Sequence, residues 1–131
     1  MSTDLYCLLA LALWSFPLNH IPAIARVSAA ESPIAWGLGN RDTVPQVKPW
    51  VARADRAQSN HHDNLAMIAV VILIAHITGQ TDEVTAIASI AVLSLRIAHG
   101  VLYILGISAL RSLAYAGSIA ALGVIVWRVL T

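Results

Sequence analysis

Runs of apolar residues long enough to cross a bilayer, joined by short polar turns, constrain this chain more than any other feature. A spanning helix needs about 20 mostly apolar residues. Residues 5–27, 84–105 and 112–129 supply three such runs, and residues 65–77 form a fourth apolar core that is too short to cross alone. That core reaches full length if its helix starts near Ala52 and turns its polar first half into the interior of a bundle. Composition agrees. Charged residues make up 11% and hydrophobic residues 58% of the chain, whereas a soluble domain carries about a quarter charged residues to cover its surface. Most of the outer surface must therefore meet lipid. The expected fold is an all-α integral membrane protein of one domain, residues 1–131. Helices near 5–27, 52–77, 84–105 and 112–129 should form an antiparallel four-transmembrane-helix bundle.

The breaks between the runs set the topology. Pro17 and Pro22 interrupt the first run and are expected to kink it, because each removes a backbone donor. Residues 28–51, rich in Gly, Pro and charge, read as a surface loop. Thr81 or Asp82 is the expected N-cap of the third helix, since a side-chain oxygen there accepts from the free N–H groups of the first turn. Gly106 and Ser108 mark a last turn before Arg111, and short connections make successive helices antiparallel neighbours. The first four residues lack the basic n-region of a secretory signal peptide, so the first run reads as a retained span. Cys7, the only cysteine, allows no internal disulfide and lies where a small buried hydrophobe is expected. Trp14, Trp36, Trp50 and Trp127 read as interface anchors or packing groups.

Charge orients the bundle. Arg26, Arg41, Lys48, Arg53 and Arg56 flank or fill the first loop and Arg111 lies by the third, while the middle turn has only Asp82 and Glu83. The positive-inside rule then places residues 28–51 in the cytoplasm and both termini outside, with Arg128 as the one dissenting charge.

This orientation gathers polar residues from three spans at one depth. Arg56, Asn60 and Asp63 stand at i, i+4 and i+7 on the second span, and Arg96, His99 and Tyr103 at i, i+3 and i+7 on the third. Arg111, Ser112 and Tyr115 open the fourth. An arginine at the bilayer centre costs about 2.5–3.5 kcal/mol on insertion scales, so these need partners or a wet cavity. Asp63 is the one acid in this set and cannot neutralise Arg56, Arg96 and Arg111 together. The surplus positive charge suits an anionic ligand, because guanidinium forks pair well with carboxylates. A structural alternative has an Asp63–Arg96 bridge holding the bundle while the other arginines snorkel to the interface. His61, His62 and His99 do not make a metal site. Adjacent histidines on a helix diverge by about 100°, and no ligand pair stands at i, i+4, so no metal is expected.

At these residues the chain resembles a known family. Arg56-Ala57-Gln58-Ser59-Asn60-His61-His62-Asp63-Asn64 looks like the Arg-Ala-x-x-Asn-x-x-Glu-Asn/Thr signature of the MAPEG family, the membrane-associated proteins in eicosanoid and glutathione metabolism. Arg96-Ile97-Ala98-His99 followed by Tyr103 resembles its Arg-x-x-His-x-x-x-Tyr pattern, and Arg111-Ser112-Leu113-Ala114-Tyr115 its Arg-Ser-x-x-Tyr pattern. The likeness covers most of the chain in one order. Gly39-Asn40-Arg41-Asp42 and the shortness of the chain look like the bacterial branch, which implies a bacterial inner membrane.

The resemblance implies a homotrimer with glutathione, as co-substrate, held between neighbouring subunits near the cytoplasmic side. Arg56, Asn60, Asp63, Arg96, His99, Tyr103, Arg111, Ser112 and Tyr115 would line that site, with Arg26 as a further contact. The implied activity is a glutathione-dependent transferase or peroxidase acting on lipophilic electrophiles from the bilayer. Glutathione brings two carboxylates for the arginines and an ammonium for Asp63, and a guanidinium near its thiol favours the nucleophilic thiolate. Arg111 is the candidate for that role, Ser112 a donor to the sulfur, and Tyr115 suits either. Two departures stand out: Ser59 replaces an arginine found in several eicosanoid-branch enzymes, and Asp63 is one methylene shorter than the usual glutamate. The competing readings are a non-catalytic membrane protein that binds a lipid or anionic ligand, and a small transporter component, for which no repeat or broken-helix pair is present.

Overall fold

The chain folds into five α-helices and no strand in a computed structural model that describes residues 1–131: α1 (Thr3–Ser28), α2 (Pro33–Leu38), α3 (Pro49–Ile77), α4 (Glu83–Leu105) and α5 (Ser108–Leu130). At 1.5 Å per residue the 26 residues of α1 span about 39 Å and the 29 of α3 about 44 Å, more than a hydrocarbon core of about 30 Å. The first helix runs unbroken through both of its prolines, and Pro22 is buried against the bundle. The long connection is not a plain loop. It contains α2, and Trp36 on that helix donates its indole N–H to the Thr43 carbonyl while Arg41 covers its ring.

Helix ends explain where the elements begin. α3 starts at Pro49 rather than Ala52, because proline's fixed φ and missing N–H suit the first turn of a helix. Asp82 is the N-cap of α4 and forms a full capping box with Thr85. At its other end α4 closes on Gly106 in the left-handed region (φ +82°), with the Ile107 N–H reaching back to the Leu102 carbonyl. That closure uses only Gly106 and Ile107, so Ser108 begins α5 instead of belonging to the turn, and Arg111 and Ser112 lie inside the helix. Arg53 of α3 locks this corner by donating from Nε to the Ile104 carbonyl at 2.8 Å. A Cβ at position 106 would meet the Arg53 side chain at 3.4 Å as well as straining the backbone. Gly106→Ala is therefore expected to destabilise the bundle by about 1 kcal/mol, read as a lower unfolding temperature in detergent.

At the end holding both termini, Arg128 of α5 pairs with Asp82. The Thr85 N–H and then this guanidinium hold the Asp82 carboxyl below the usual carboxylate range. A depressed folded pKa contributes stability that is present above the unfolded value of about 3.9 and is lost as pH falls through the folded value. Asp82→Asn keeps a capping oxygen and removes the charge. Unfolding temperatures of the two proteins should differ above pH 4 and converge as acid protonates Asp82, with a constant gap as the contradicting result.

The α3 and α4 helices form the central pair. α1 packs on α3 and α4 from one side and α5 on the same two from the other, and α1 and α5 do not meet. Trp14 of α1 closes on α4 where Gly100 leaves room, its ring lying 3.4 Å from where a Cβ would stand. The half of the bundle nearer the termini has an aliphatic core of Leu11, Ile68, Ile72, Val92, Leu122 and Ile125. Nearer α2, the buried side chains include His61, Asn64, Arg96 and His99. Cys7 is buried, as expected of it. The outward faces are strongly apolar, and α1, α4 and α5 are long and apolar enough to cross a membrane. α3 is the longest helix but carries its polar half at the α2 end.

Candidate functional site

A polar layer crosses the α3–α4–α5 side of the bundle in its α2-end half. Arg96 of α4 is 1% exposed and donates from Nη2 to both the backbone carbonyl and Oδ1 of Asn60, at 3.0 and 3.1 Å. Asn64, one turn on, donates to the same Asn60 carbonyl at 2.7 Å and faces the Tyr115 hydroxyl of α5 at 3.5 Å. The Arg96 guanidinium lies 5.8 Å from the centre of the Tyr115 ring. His99 fills the space between Tyr103 and Tyr115, with centroid separations of 5.6 and 5.8 Å. Arg111 closes the layer, its guanidinium carbon 4.3 Å from the centre of the Tyr103 ring.

The layer is positive and lacks a counter-ion. The ion pairs of the chain are Arg26–Asp55 and Arg128–Asp82, and neither belongs to it. Arg96 keeps Nε and Nη1 buried without a hydrogen-bond partner. Cation–π contact recovers about 0.5–2 kcal/mol, well short of the several kcal/mol that desolvating an ion costs. An arrangement of this kind stabilises negative charge brought to it.

Of the residues singled out in the sequence, the chain brings together Asn60, Arg96, His99, Tyr103, Arg111 and Tyr115. It does not bring in Arg56, Asp63, Ser112 or Arg26. Arg56 and Asp63 lie exposed on the outward face of α3. Asn60 turns about 40–60° away from them round the helix, toward the buried stripe, so the three do not act as one face. The Asp63–Arg96 bridge of the structural alternative is not formed, because Arg96 is held by Asn60 instead. Ser112 is exposed and donates its hydroxyl back to the Ser108 carbonyl at 3.0 Å. Arg26 pairs with Asp55, the acid that in fact neutralises an arginine at this end.

Sequence reasoning set His61 aside as a metal ligand, gave Asn64 and Arg53 no contact of their own, and did not single out Asp55. A signal existed for the first two. The buried stripe of α3 runs Ala54, Ala57, His61, Asn64, Ile68, Ile72 and Ala75, and extending the apolar i, i+3/i+4 pattern backward from Ile68 lands on both. His61 is 1% exposed and its Nε2 donates to the Leu11 carbonyl of α1 at 3.1 Å.

Helices of this length and apolarity around a buried cationic layer define a multi-pass integral membrane protein whose polar chemistry lies within the bundle. The chain belongs to the MAPEG family, whose model matches residues 4–131. No curated protein and no solved structure matches it. Family membership makes it a membrane protein of the glutathione- and eicosanoid-related group.

Proposed function

We propose that the chain is a homotrimeric, glutathione-dependent transferase or peroxidase of the bacterial branch, which activates a thiol for attack on lipophilic electrophiles at sites between subunits. The observation that carries this reading is the buried layer in which Arg96 and Arg111 back Tyr115 and Tyr103 with no carboxylate bound to either. The α2 end faces the cytoplasm and both termini face the other side of a bacterial inner membrane, in keeping with the basic residues of the first loop.

Roles follow from exposure. Arg111 is half-buried at the edge of the layer and stabilises the thiolate. Ser112 and Tyr115 serve the sulfur as hydrogen-bond donors; the Ser112 hydroxyl turns from its own helix to do so. Arg56 and Asp63, exposed in the separate subunit, hold the carboxylates and ammonium of glutathione where a second subunit covers them. Asn60, His99 and Tyr103 shape the wall. Arg96 is sealed in the subunit and acts from behind, by its field through Tyr115 and by fixing Asn60. Arg26 contributes at the loop end, shared with Asp55.

Conjugation of a general electrophile by the purified trimer in detergent tests this reading. Product is expected only with glutathione present, and turnover without glutathione, or none from well-folded trimer, would overturn it. A second reading, a non-catalytic binder of a lipid or anionic ligand, draws on the engagement of the sulfur-side donors inside the subunit, Ser112 with Ser108 and Tyr115 with Asn64. Tight glutathione binding without turnover, or an anionic lipid that displaces glutathione, would favour it.

A further inference from the structure

His20 stands on a face of α1 that nothing in the subunit covers. The buried side of this helix is Asp4, Cys7, Leu11, Leu18 and Pro22. The opposite side is Leu9, Leu13, Phe16, His20 and Ile24, all exposed. The imidazole stacks on Phe16 with ring centroids 3.8 Å apart, and Nδ1 lies 2.8 Å from the Phe16 carbonyl. A carbonyl only accepts, so Nδ1 carries the proton and Nε2 presents an unused lone pair to the outside. An ionisable group on a lipid-facing surface within a span is rare, because such groups turn to a protein interior or a wet cavity and find a partner there.

A donor without a partner lies at the same depth. Asn19 accepts from Gln58 of α3 at 3.4 Å, which sets the Asn19–His20 step level with Gln58, between Arg56 and Asn60. Arg56 is exposed on the outward face of α3 and makes no hydrogen bond or ion pair within the subunit. Its five N–H groups require acceptors that hydrocarbon cannot supply. The acceptor on α1 and the donor on α3 point away from one subunit in different directions, so they do not meet within it. Rotation about the membrane normal preserves depth, and a head-to-tail ring of copies sets one face against the other.

We propose that the outward face of α1 packs on the outward α3 face of a second copy, so that Arg56 of each site is positioned by His20 of the partner subunit. The occupant of the apolar α1 face is thus another copy of this chain, chosen by a bare imidazole acceptor opposite an unpartnered guanidinium. Held through one edge by the imidazole, Arg56 keeps its remaining N–H groups for a ligand carboxylate. His20 is a positioning residue in this scheme. The inference rests on the assembly and the glutathione site put forward under Proposed function.

Two measurements test it. In a Cys7→Ala background, His20→Cys combined with Arg56→Cys is treated in membranes with a short bifunctional thiol reagent. Covalent dimers and trimers are expected, and none when His20→Cys is combined instead with Ile77→Cys, at the far end of the same outward α3 face. Separately, His20→Ala should weaken glutathione binding about tenfold, the loss of one hydrogen bond to a charged group, with the trimer intact. His20→Gln, which keeps an acceptor, should restore part of it. No linked species from the Arg56 pair, or equal linking from the Ile77 pair, overturns the inference even if the protein binds glutathione. Specific linking in a protein that gives no glutathione heat leaves the interface standing and overturns the reading of the site.

Discussion

Arg111→Ala is expected to lower thiol-dependent turnover by about two to three orders of magnitude while leaving the assembly folded. Arg111 stands in the opening turns of α5, half-buried, with its guanidinium carbon over the Tyr103 ring, 4.3 Å from its centre. Loss of that cation–π contact removes about 0.5–1 kcal/mol, too little to unfold the bundle. The charge itself is different in kind. Nothing neutralises it in the subunit, so its field is available to a thiolate, and an aligned charge in a water-poor layer needs no reorganisation when the sulfur ionises. Arg111→Lys should recover only part of the activity, because an ammonium keeps the charge but loses the planar fork of N–H donors. The check is kcat/KM with a general electrophile, beside helicity and particle size for each variant. A loss smaller than about tenfold would mean that another group activates the thiol.

Arg96→Met should do the opposite to stability and the same to function. Its guanidinium is 1% exposed, and only one of its three nitrogens has acceptors, both on Asn60. Replacing a buried, unneutralised ion by an apolar side chain of similar volume is commonly neutral or stabilising by about 1–4 kcal/mol. Against this stands the loss of a partner for Asn60 Oδ1, about 1–3 kcal/mol, softened because the Asn60 carbonyl keeps its bond from Asn64. The variant should therefore melt at or above the temperature of the parent and bind an anionic ligand more weakly. A marked drop in unfolding temperature would instead make Arg96 a bolt between α3 and α4, with no call for an anion to explain it.

These residues also mark how far the sequence could be read. Spanning length is a local property, so the first, third and fourth spans appear as apolar runs. The polar first half of α3 is legible too, since 65–77 cannot cross alone and must borrow from it. The beginning of α5 was not legible. Ser108 looks like a turn residue, and only the contact of the Ile107 N–H with the Leu102 carbonyl closes the preceding helix early enough to free it. The order inside α2 is likewise tertiary, held by Trp36 on Thr43. In the site, spacing finds Arg96, His99 and Tyr103 on one face. Pairing is another matter: Arg26 with Asp55 and Arg96 with Asn60 depend on how helices cross, and two acids eight residues apart on α3, Asp55 and Asp63, cannot be ranked without that. Arg56, Asp63 and Ser112 remain outside the cluster because their side chains lie exposed, away from the buried stripes that meet at Arg96.

Glutathione is the ligand proposed for this cationic layer. Calorimetric titration of the detergent-purified protein with glutathione tests that proposal most directly. Saturable heat is expected from the parent protein, with none or far weaker binding from Arg111→Ala at equal folding. No heat from a well-folded parent, or undiminished binding by Arg111→Ala, would contradict the claim.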